Sequence, residues 1–64
     1  MKPIYYITIK GRYIKENNTP SKHSIEFSTK DTNTNLCVGD IIFHKRKLLI
    51  IEKIIYEPIE SAHQ

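Results

Sequence analysis

The chain of 64 residues holds one cysteine, two glycines and no tryptophan. Each scarcity excludes something. Cys37 alone cannot form an internal disulfide, so the fold rests on packing or on a partner, and such cysteine usage fits a reducing compartment. Gly11 and Gly39 stand too far apart in sequence to make a phosphate-cradling glycine-rich loop. The longest uncharged apolar run, Leu48 to Ile51, is far too short to span a bilayer. Met1-Lys2-Pro3 leads straight into alternating Ile and Tyr, so no signal peptide is expected. These features predict a cytoplasmic protein without a membrane partner.

Catalytic and metal-binding patterns are also missing. His23, Cys37, His44 and His63 stand singly, without the close ligand spacing of a zinc site. Cys37 and His44 could meet across a hairpin, but nothing supplies an oxyanion hole or a cleft. The plainer reading is a small buried thiol and a strand-end histidine. No enzymatic activity, metal or cofactor is expected.

What the chain does have is isoleucine, twelve of them against one valine, together with a net charge of +3. In PIYYITIKGRYI, Tyr5, Ile7, Ile9 and Tyr13 alternate with Tyr6, Thr8, Lys10 and Arg12, the period of a half-buried strand. Gly11 breaks the inward row, as at a bulge or a sharp bend. KENNTPSK reads as a loop. HSIEFSTK alternates again, with Ile25 and Phe27 inward, and DTNTN is a second loop. Gly39-Asp40 opens a third strand through Phe43, with Asp40 closing a turn through its carboxylate. Lys45-Arg46-Lys47 falls where a turn belongs, and Leu48 to Glu57 forms the last strand, ended by Pro58.

A helix is the rival for the last segment, because Leu48, Ile51 and Ile55 have helical spacing. Leu49, Ile50, Ile54 and Tyr56 then leave almost no polar face, and the β-branched residues disfavour it. As a strand it is apolar on both sides. Either it curls through a small barrel, so that the inward face switches at Glu52-Lys53, or its second face packs on another chain. The expected inward set is Tyr5, Ile7, Ile9, Ile25, Phe27, Val38, Ile41, Phe43, Leu49, Ile51 and Ile55.

LCVGDIIFHKRKLLIIEKI, about a third of the chain, broadly resembles the VGD-strand-turn-strand hairpin of SH3-like barrels, although it lacks the turn glycine that many such hairpins carry. The expectation is therefore an all-β fold: a small, strongly bent antiparallel sheet or SH3-like barrel of four to five strands, one domain over residues 1–58 with a tail at 59–64. A chain this short buries only roughly 60% of its unfolded surface, so its stability is marginal.

The remaining functional signal is basic and aromatic. Small β-barrels bind single strands through basic grooves with stacking aromatics. The candidates are Tyr6, Lys10 and Arg12 on the outward face of the first strand and Lys45, Arg46 and Lys47 at the hairpin tip. The plainer alternative is that edge and turn cations keep sheets from mispairing. The expected function is non-catalytic binding, with DNA or RNA as the first partner. The alternative is a protein-interaction or homodimeric adaptor or inhibitor, such as a phage or mobile-element accessory protein, using Leu48, Ile50, Ile54 and Tyr56 on the last strand.

Overall fold

A computed structural model describes residues 3–59. It contains four strands: β1 (Tyr5–Tyr13), β2 (Ile25–Asp31), β3 (Ile41–His44) and β4 (Lys47–Pro58). They form one antiparallel sheet in the order β2-β1-β4-β3, curled into a half-barrel. Among the described residues there is no helix, and so none long and apolar enough to cross a membrane. The last segment is a strand, the longest of the four.

The curl is set by a bulge. Along β1 and β4 the pairs run Ile9↔Ile54, Lys10↔Lys53, then Gly11↔Ile51, so Glu52 has no opposite residue. The extra residue resets the alternation of side chains. Leu49 and Ile51 before it and Ile54 and Tyr56 after it all turn to the concave side. This is the first of the two expected solutions, a curl in which the inward face switches at Glu52-Lys53. It requires Gly11: a Cβ there would lie 2.7 Å from Leu49 Cδ2 and against the Ile50 carbonyl.

The core is small. Ile7, Ile9, Leu49 and Ile51 are buried, and Tyr5, Tyr13, Ile25, Phe27, Leu36, Ile42, Ile54 and Tyr56 pack around them. Four members of the expected inward set lie outside it: Val38, Ile41, Phe43 and Ile55 are exposed. The pairing Ile42↔Leu49 puts Ile42 on the concave side and Ile41 and Phe43 on the outer one. In a strand apolar on both faces, hydrophobicity cannot choose the register. Ile55 is turned out by the bulge, and Val38 sits in the turn before β3.

The connections are held by side-chain and backbone hydrogen bonds. Asp40 accepts a hydrogen bond from the Cys37 amide (2.9 Å), and Gly39 takes a positive φ of 94° in that turn. Tyr56 donates its hydroxyl to the Leu36 carbonyl (2.8 Å) and tucks the β2–β3 connection against the core. Burial raises the Tyr56 hydroxyl above the ordinary tyrosine value. Asn18 adopts a positive φ in the β1–β2 loop, where the Lys15 amide bonds the Thr19 carbonyl. At the far end the Ile59 amide donates to Ile4; the rest of the expected tail, residues 60–64, lies outside the described residues.

Candidate functional site

The β3–β4 turn consists of Lys45 and Arg46 between the paired residues His44 and Lys47. Their φ angles are 50° and 65°. Positive φ at both central residues defines a type I′ turn, whose twist matches the flanking strands and which favours Asn-Gly. Lysine and arginine are poor occupants, since each side chain meets the backbone in the left-handed region.

Lys47 does not project with them. It occupies a concave-side position in β4, and its Nζ lies 5.2 Å from the Tyr13 ring centroid, a cation–π arrangement. Three adjacent cations thus divide into a two-residue tip and one cation folded over an aromatic ring. Beside the tip is an open groove of about 750 Å³, lined among others by Tyr13, Lys15, Glu16, Arg46 and Lys47. Lys15 was not singled out from the sequence. It joins the tip only through the antiparallel pairing of β1 with β4, which the local residue pattern does not encode.

Phe27 and His44, neither of which lines the groove, stack face to face, with centroids 3.8 Å apart and planes 8° from parallel. Tyr13 lies near-parallel to His44 at 6.4 Å. His44 therefore belongs to an aromatic stack, while Cys37 is exposed in the turn at the opposite end of β3, its thiol donating to the Asn35 carbonyl. The two do not form a nucleophile–base pair. No group of three His, Cys, Asp or Glu converges among the described residues.

The other candidates are separated from the tip. Arg12 Nε bonds Glu52 Oε1 at 3.1 Å, and its guanidinium also donates to the Ser21 carbonyl. Lys10 lies between Glu26 and Lys53, and Tyr6 between Lys30 and Glu57. The outer face of β1 is thus mixed in charge rather than a basic stripe. Of the expected interface residues, Leu48 and Ile50 lie on the outer face, opposite Phe43 and Ile41. Ile54 and Tyr56 turn inward instead, because of the bulge.

No protein-family model, curated protein or solved structure matches the chain.

Proposed function

We propose that this chain is a non-catalytic binding protein that holds single-stranded nucleic acid by its phosphates at the β3–β4 turn. One observation carries the reading. Two cations occupy the positive-φ positions of the turn, where Asn-Gly would fold better. Backbone strain retained at a position is grounds for a functional hypothesis. The surroundings agree: Lys15, Arg46 and Lys47 line the groove beside the tip, with Glu16 as its one acidic lining residue. Among the described residues the only ion pair is Arg12–Glu52, which leaves Lys15, Lys45 and Arg46 free to face phosphate.

Phosphate contacts release counterions, so affinity falls as salt rises. Three contacts to a single strand, from Lys15, Lys45 and Arg46, give a slope of about −2 in log affinity against log salt. Titrating an unstructured oligonucleotide at several salt concentrations tests this. Little dependence on base sequence is expected, because phosphate contacts carry no base information.

A second reading is favoured by a different feature. Phe43 is 70% exposed, and Ile41 and Leu48 are exposed beside it on the outer face of the hairpin. Contiguous exposed apolar surface is characteristic of protein-binding sites.

A further inference from the structure

Among the described residues, the half-barrel leaves one edge of β2 and one edge of β3 without a backbone partner. They differ in a way that matters. β2 carries Glu26, Lys30 and Asp31, and charged residues discourage a stray strand from pairing. β3 presents Ile41, Ile42 and Phe43 without a charge between them. We infer that the β3 edge is the pairing site for a second copy of this chain, joined antiparallel about Ile42 into one continuous sheet. This stands independently of nucleic-acid binding.

The backbone pattern favours that register. Antiparallel pairs alternate between hydrogen-bonded and non-hydrogen-bonded. His44 and Lys47 flank the two-residue turn and form a bonded pair, and Ile42↔Leu49 is therefore the next. The pattern continues at Asp40, whose carbonyl accepts from the Ile51 amide (2.9 Å). Ile41 and Phe43 consequently aim their N–H and C=O groups away from β4, at the open edge. A two-fold axis through Ile42 sets Ile41 opposite Phe43 of the second copy, and Phe43 opposite its Ile41. Each such pair uses both outward donors and both outward acceptors. Side chains stay on matching faces, Ile41 beside Phe43 on the outer side and Ile42 against its own counterpart on the concave side.

Charge agrees with this arrangement at both ends. Asp40 precedes β3, while Lys45 and Arg46 follow it. Antiparallel self-pairing brings the acidic end of each strand to the basic end of the other. A parallel arrangement would set like beside like. An edge this short makes a weak, concentration-dependent dimer rather than an obligate one.

The test is sedimentation over a concentration series reaching about 1 mM, where weak association registers, together with residue-resolved amide exchange. The wild-type mass should rise from one chain towards two. Exchange at Ile41 and Phe43 should slow with concentration, while Ile42 and His44, bonded within the chain, should not change. Phe43→Lys alters an exposed side chain and should abolish the mass increase. Ile41→Pro removes an outward N–H without breaking an internal hydrogen bond and should do the same; if it fails to fold, Phe43→Lys and the wild-type exchange pattern decide. A wild type that stays one chain throughout overturns the inference. So does a dimer that survives Phe43→Lys, or one without selective slowing at Ile41 and Phe43.

Discussion

The ring of Phe27, on one edge strand, lies 3.8 Å from the imidazole of His44 on the other, within 8° of parallel. Between β2 and β3 stand the two central strands β1 and β4, so this contact spans the mouth of the half-barrel. β2 and β3 share no backbone pairing. The stack joins the two edge strands through side chains on the concave side, where no backbone hydrogen bond does.

A double-mutant cycle of Phe27→Ala and His44→Ala should therefore give a coupling of about 1 kcal/mol, the scale of an aromatic pair beyond its area burial. Urea denaturation measures it. A coupling near zero would mean that the curl is held by the bulge alone.

Gly11→Ala should prevent folding or cost more than about 3 kcal/mol. The new methyl would meet Leu49 Cδ2 at 2.7 Å and the backbone of Ile50, which cannot swing aside as a flexible side-chain end could. Circular dichroism and thermal melting read the outcome, and a melt within a few degrees of wild type would refute the close-approach account of the bulge.

Tyr56→Phe should lower stability by about 1 kcal/mol through loss of the hydrogen bond to Leu36. It should also change the alkaline behaviour. Burial raises the folded Tyr56 hydroxyl above its unfolded value, so its contribution is full below the ordinary tyrosine range near pH 10 and is lost as pH rises through the folded value. Denaturation at pH 8 and above pH 10 should therefore show a steeper alkaline loss for wild type than for the variant.

Several of these features can be read in the residues themselves. The period-two rows of β1 and β2 identify strands because their outward positions are polar, and Gly11 with Glu52-Lys53 marks the place where the face switches. The charged run Lys45-Arg46-Lys47 between apolar runs locates the turn, although Lys47 already belongs to β4. The register of β3 cannot be read in the same way: Ile41, Ile42 and Phe43 are apolar on both sides, and only the two-residue turn decides that Ile42 faces in. The Arg12–Glu52 pair, the groove at Lys15 and the Lys47–Tyr13 contact depend on which strands become neighbours, which local pattern does not encode. The turn is therefore legible in the sequence, and the contacts on its flanks are not.

Arg12→Gln is expected to leave the oligonucleotide salt slope close to wild type, because Arg12 is held by Glu52 rather than free. Exposed pairs of this kind contribute at most about 1 kcal/mol to stability. A slope reduced by one contact would instead place Arg12 on the nucleic acid.

The most direct measurement combines stability and binding in one variant, Lys45→Asn with Arg46→Gly. Asn-Gly suits the observed type I′ geometry, so relief of left-handed strain should raise stability, by about 1–2 kcal/mol. Removing two phosphate contacts should at the same time weaken single-strand binding roughly twenty-fold at 0.1 M salt and flatten the slope to about −0.7. Opposite signs in the two measurements are what the account predicts. A more stable variant that binds as tightly as wild type, with an unchanged slope, would contradict it.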